Sequence, residues 1–281
     1  VTERRVRWLV VHDLHDAAGV WLGNRLRACL RADAADAMLV LPAPALTLHA
    51  RFDLRIAGGR TESTVRLRLP GRPEQTVEST SVAGVLWRAH AVWMPAPGRL
   101  STAEASYQAM ERHALLLAWL HGLGAACANR PRADSLNGPA WSPATWCAKA
   151  AACGLPVAVG PGAGLQAAPA LFVVDDCVRW QAGCGDATDR AAPAVALQQA
   201  ALRLARSEGC TCLALYGAGD ARGRWRFTAA DPCPDLRRAG GADELLIPAL
   251  ARRLGLPAPA QRPPQRADAH ALPMGAPAVP A

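Results

Sequence analysis

Residues 224–238, RWRFTAADPCPDLRR, hold the side chains best suited to chemistry in this 281-residue chain. Trp225 and Phe227 alternate as they would on one face of a strand, and a proline-broken turn follows at Asp231-Pro232. Strand residues two apart point the same way, so Ala229 and Asp231 are expected to extend that face. A hard octahedral cation such as Mg²⁺ is usually held by one or two side-chain oxygens together with phosphates. Here the two positions offer an alanine and one carboxylate, which makes Asp231 a candidate ligand-binding residue and a vestigial metal ligand.

Other groups with possible chemistry are scattered. His12, Asp13, His15 and Asp16 gather after the first apolar strand, where open α/β sheets place their ligands. They read as a metal or substrate site or, more simply, as Asp16 capping the next helix with solvated neighbours. Asn129 and Arg130 leave a short strand in a loop fixed by Pro131. Both are candidates to line a cleft, and an arginine there suits a carboxylate or phosphate; a purely structural loop is the alternative. The GPGAG run at 160–164 could cradle phosphate through backbone N–H groups, but it lacks the Lys and Ser/Thr of a P-loop and reads as a linker. Asp175-Asp176 reads as a β-turn. The nine cysteines contain no CxxC, and Cys210 and Cys212 fall in an apolar run where thiols act as small hydrophobes. No Ser-His-Asp or Cys-His set can be assembled from spacing.

These residues need elements to position them. RVRWLVV at 5–11, a helix carrying Leu22, Leu26, Cys29 and Leu30, and the run AMLVLPAPAL predict a βαβ opening and a parallel sheet. The period then changes to two: Phe52, Leu54 and Ile56, then Val65, Leu67 and Leu69, predict a β-meander ending in the strand AGVLWRA at 83–89. Ser101 with Glu104 forms a capping box for a long helix that Gly122 and Gly124 stop, followed by a short AACA strand. A capped helix runs from Ser142 to Gly154. Further elements are a strand and turn at 170–180, a helix over 193–208, an antiparallel hairpin of strands 210–216 and 224–230, and a last helix over 242–254. From Pro257 the Pro/Ala-rich chain lacks periodicity and is expected to be disordered.

Composition narrows the function classes. A 51% hydrophobic content supports a globular core, and no apolar run approaches the roughly 18 residues of a membrane span. No signal-peptide pattern is visible, so a cytoplasmic location is expected, with cysteines reduced. The formal charge of +8 invites a nucleic-acid partner. Lys149 is the only lysine, however, and the arginines are scattered singly, which leaves a basic nucleic-acid adaptor as a third reading.

The order of the landmarks Asn129-Arg130-Pro131, Gly154-Leu155-Pro156 and Phe227-Thr-Ala-Ala-Asp231-Pro232 resembles the ATP-grasp ligase superfamily, on the branch of glutathione synthetase, ribosomal-protein glutamyl ligases and peptide-modifying ligases. The resemblance covers residues 5–157 and, more weakly, 170–255. It implies an α/β, ATP-grasp-like fold with an N-terminal βαβ pre-domain carrying the meander and a C-terminal α+β remnant. The implied division is 1–100, a helical connection 101–157 with the Asn-Arg-Pro loop, a truncated ATP-grasp-like part 158–256, and the tail 257–281. Three departures stand out. The family's Phe-x-Glu-x-Asn-Pro pattern places its Glu on Ala229 and its Asn on Asp231. Only fifteen residues separate Pro156 from Phe172, too few for the family's lid. Lys149 lies in the preceding helix, away from the lid's lysines. The expectation is a degenerate, non-catalytic partner or scaffold for a peptide- or cofactor-modifying ligase, working with a protein partner or as an oligomer. The alternative is an active carboxylate-amine ligase using ATP and Mg²⁺, with a non-standard site or a lid lent by another chain.

Overall fold

The first apolar run serves two sheets, because a bend at Arg7 divides it into β1 (Arg4–Val6) and β2 (Trp8–His12). The computed structural model describes residues 4–58, 60–90, 101–158, 166–183 and 193–257; the GPGAG run and the tail from 258 lie outside them. After β2 come α1 (Ala17–Ala28), α2 (Ala32–Ala35), β3 (Met38–Pro42) and α3 (Ala43–His49). The run AMLVLPAPAL is therefore strand only in its first half. Pro44 sits in the first turn of α3, where a missing N–H costs nothing.

β4 (Ala50–Ala57), β5 (Arg60–Leu67) and β6 (Gln75–Glu78) form the expected antiparallel meander, with β1 adding parallel to β6. The strand β7 (Gly84–Trp87) is not its last member: it returns to lie parallel to β2, giving the order β3-β2-β7. The cause is burial on both faces. Trp8, Val10, Met38 and Leu86 face one core, and Leu9, Val11, Leu39, Leu41, Val85 and Trp87 face another, the mark of a parallel sheet covered on both sides. α4 (Thr102–Leu123) covers the second face, its Ser101–Glu104 capping box in place. Trp119 of α4 is fully buried, edge-on to Phe52 and Trp87. Gly122 lies within the helix, packed on Thr61, and only Gly124 ends it. The expected AACA strand reduces to a 3₁₀ turn and a single parallel bridge, Cys127 to Val85.

After α5 (Pro143–Ala152) the chain builds a third sheet. β8 (Gln166–Val174) and β9 (Cys177–Trp180) form a hairpin around Asp175-Asp176, α6 (Val195–Ser207) crosses, and β10 (Cys212–Gly219) pairs with β11 (Trp225–Asp231) in the order β11-β10-β8-β9. Asp220 fixes the β10–β11 turn by accepting from the Arg222 and Arg224 N–H groups and pairing with the Arg224 and Arg226 side chains. One face of this sheet packs on α5 and α6 through Leu171, Val173, Leu213, Leu215 and Phe227. The other, through Ala170, Phe172, Val174, Cys212 and Ala214, shares a core with α1, β2 and α7 (Ile247–Arg253). The expected helix over 242–254 is broken: Ala242–Leu246 is π-helical and α7 starts at Ile247. Pro248 has no N–H to continue an α-helical ladder from the preceding turn.

Candidate functional site

β2 is flanked by β3 on one side and β7 on the other, and in parallel sheets the crevice beyond the carboxyl ends at such a switch point is where ligands bind. A cleft of about 430 Å³ lies there, lined by Asp13, His15, Asp16 and Arg88 from one side and Tyr216, Asp231 and Cys233 from the other. The sequence pointed separately to the 12–16 cluster and to Asp231. The structure brings them together.

Asp231 reaches this cleft because the expected alternation fails. Tyr216 pairs with Ala229 but Gly217 with Phe227, so Thr228 is an extra residue in β11. Such a bulge re-aims the side chains beyond it. Trp225, Phe227 and Ala230 pack toward α5 and α6, while Ala229 and Asp231 sit opposite Tyr216 and Ala214, on the opposite face. The expectation that Asp231 continues the Phe227 face is thus reversed. Its carboxylate accepts from the Cys233 N–H at 2.8 Å, closing the turn. Burial, and next the Asp231 charge, push the Tyr216 hydroxyl up, so it is a donor at neutral pH.

Beneath the cleft Asp16 performs two tasks. It caps α1 by accepting from the Gly19 N–H at 2.8 Å, and it pairs with Arg88 Nε at 2.8 Å. Gly19 is needed there, since a Cβ would lie 2.5 Å from the Asp16 carboxylate. Arg88, only 5% exposed, also donates to the Pro234 carbonyl at 2.9 Å, tying β7 to the turn after β11. Burial raises the Asp16 carboxyl, but the Arg88 hydrogen bond and charge and the Gly19 N–H outweigh it and hold the group below its ordinary value. The Cys233 thiol donates to the Arg88 carbonyl; burial pushes it up to about 12, which removes it as a nucleophile. His12 is buried and its Nδ1 donates to the Asp13 carbonyl; the Asp13 carboxylate accepts from the His90 N–H at 3.1 Å. Arg88, His90 and Tyr216 escaped the sequence reading. The one signal for Arg88 was a charge directly after the apolar run GVLW.

Asn129 and Arg130 part company. Asn129 is buried, its Nδ2 within 2.7–3.1 Å of the Asn137, Cys212 and Pro232 carbonyls and its Oδ1 accepting from the Thr211 and Cys212 N–H groups. Every polar atom of the amide is thereby engaged by backbone. Arg130 is exposed and lines a different cleft, with Arg132, Arg206, Arg253 and Glu208. Lys149 donates to Glu208 at 2.8 Å, and Trp141 Nε1 and Arg132 reach the same carboxylate at 2.8 and 3.3 Å. Burial raises the Glu208 carboxyl, but Lys149 and then Trp141 outweigh it and hold the group low.

A magnesium-bound nucleotide does not fit the donor set around Asp231. Ala229 brings no oxygen, and one Asp231 oxygen already closes a turn. From Ala158, whose N–H donates to the Phe227 carbonyl, only seven residues lead to Gln166 of β8. Among the described residues no helix is long and apolar enough to cross a membrane.

No protein-family model matches the chain, and no curated protein matches its sequence. Solved structures do match in shape. A macrocyclase, MdnC from Microcystis aeruginosa MRC bound with precursor peptide MdnA, superposes with a TM-score of 0.63 at 11% identity over 88% of this chain and 99% of that one. The ATP-grasp ligase PsnB, complexed with a minimal precursor, gives 0.62 at 15% identity over 89% and 98%. A Chryseobacterium gregarium RiPP-associated ATP-grasp ligase, in complex with ADP and a leader and core peptide, gives 0.59 at 9% identity over 90% and 96%. The arrangement of sheets and helices in this chain is the fold of the ATP-grasp ligases.

Proposed function

We propose that the chain is a peptide-binding member of the ATP-grasp fold that serves a ligase as a non-catalytic partner. The observation that carries this is the state of Asp231, a single carboxylate beside Ala229 and tied to the Cys233 N–H. The only lysine is likewise engaged, by Glu208. The cleft keeps an aspartate–arginine floor and the donors Tyr216 and His15, a setting for polar side chains of a peptide. Similar folds were solved with precursor peptides, which supports a peptide as the guest.

Titration calorimetry of the purified chain with ATP, with and without Mg²⁺, tests the proposal. No binding in either condition is the expected result. Magnesium-dependent binding that disappears in Asp231→Ala would sink it and favour an active ligase completed by another chain.

A further inference from the structure

On the side of Asn129 away from Asp231 lies a second cleft, of about 660 Å³, lined by Arg130, Arg132, Arg206 and Arg253 together with His121, Asp175 and Glu208. Its charges are not balanced. Glu208 is neutralised by Lys149 and Arg132, which leaves Asp175 as the acidic counterweight. Among the described residues Arg130 and Arg206 make no side-chain hydrogen bond or ion pair, and both are exposed. Arg253 uses one Nη for the Ala125 carbonyl at 3.1 Å and retains its other donors.

The Arg130 position is set by backbone. Its N–H donates to the Gly209 carbonyl at 2.9 Å, and its Cβ lies 3.2 Å from where a Cβ on Gly209 would stand. Gly209 has φ of 69°, a conformation that favours glycine, so the chain turns tightly after α6 and leaves the cleft open. Cys127 and Cys210 add thiols there; burial pushes Cys127 up to about 12 and Cys210 higher still, so neither contributes negative charge.

We infer that this arginine-lined cleft is a binding site for an acidic peptide segment, with Arg130, Arg206 and Arg253 each taking a carboxylate. Guanidinium forks match carboxylates two bonds at a time. The volume suits several side chains instead of a single inorganic ion. No Phe, Tyr or Trp side chain lines the cleft, whereas sites for single-stranded nucleic acid pair positive charge with stacking platforms. This site shares no residue with the cleft around Asp231 and does not depend on whether that cleft lacks nucleotide chemistry.

The test is fluorescence anisotropy of labelled hexaglutamate with the full chain at low ionic strength. The expected result is saturable binding, weakened about 10-fold or more in Arg130→Glu/Arg206→Glu and weakened also in Arg253→Gln. Arg31→Glu/Arg72→Glu, an equal charge change outside the cleft, should bind as the parent does. Circular dichroism melting confirms that each variant is folded. Equal losses in both double variants would reduce the effect to net charge and overturn the site. No hexaglutamate binding would overturn it too. Full displacement by inorganic phosphate at matched ionic strength would overturn the peptide assignment. So would tighter binding of a single-stranded oligonucleotide through the same arginines.

Discussion

Asn129 and Arg130 are adjacent in sequence and opposite in role, and only the surroundings decide which is which. The Asn129 amide holds Thr211, Cys212, Asn137 and Pro232 in one place, and the segment between the two clefts hangs on it. Asn129→Ala leaves two buried backbone N–H groups without an acceptor, at about 1–3 kcal/mol each. A loss of roughly 3–5 kcal/mol in urea-induced unfolding is the expected outcome, and a loss under 1 kcal/mol would refute the clamp. The Arg88 pair leads to a comparable expectation. Arg88→Ala strands Asp16 partly buried without its cation and should cost about 3–5 kcal/mol. Acid sensitivity follows from Asp16 and Glu208, both held below their ordinary values of 3.8 and 4.5. A carboxylate depressed in the folded state binds fewer protons than in the unfolded state. Its contribution is therefore complete above the ordinary value and lost as pH falls toward the folded one. Unfolding free energy should be flat from neutral pH to about pH 5 and fall below it, with a shallower fall in Glu208→Gln; an identical slope in that variant would contradict the assignment.

At the scale of elements, alternation and capping were readable because they depend on neighbours in sequence. The capping box at Ser101, the Asp16 cap, the meander and the β10–β11 hairpin all sit where local pattern places them. What could not be read depended on tertiary packing. β7 looks like the end of the meander, yet burial on both faces carries it into the parallel sheet. The extra Thr228 is invisible in a run of small residues, and it decides which cleft Asp231 serves. The bulge has its own support. The Trp225 indole lies over Gly217 and donates to the Pro169 carbonyl at 3.0 Å, and a Cβ at Gly217 would fall 2.1 Å from Trp225 Nε1. Gly217→Ala should therefore displace the indole and cost about 1–3 kcal/mol, with tryptophan emission shifted to the red. Parent-like emission and stability would show that the strand pair does not rely on that contact.

At the scale of the molecule, the question is whether the parallel sheet and the sheet of β8–β11 act as one body. The sequence suggested pieces in succession, and the contacts join the first to the last. Phe172 of β8, 1% exposed, belongs to the same core as Trp8, Val10, Leu22 and Leu86 of the parallel sheet and Leu250 of α7. Gly84 of β7 is pressed so close to Leu254 that a Cβ would meet its carbonyl at 2.4 Å, and Arg88 donates across to Pro234. With packing of this kind neither sheet keeps a complete core when the other opens, so unfolding should be a single transition. Phe172→Ala tests this directly, since it removes a ring from the shared core at a cost of about 3–5 kcal/mol. Hydrogen exchange under native conditions should then speed up by the same factor in peptides covering β2 and β10, although Phe172 lies in the sheet of β10 alone. Acceleration confined to β10 and its neighbours would mean that the sheets open separately, and the cleft between them would then be a hinge instead of a fixed seat.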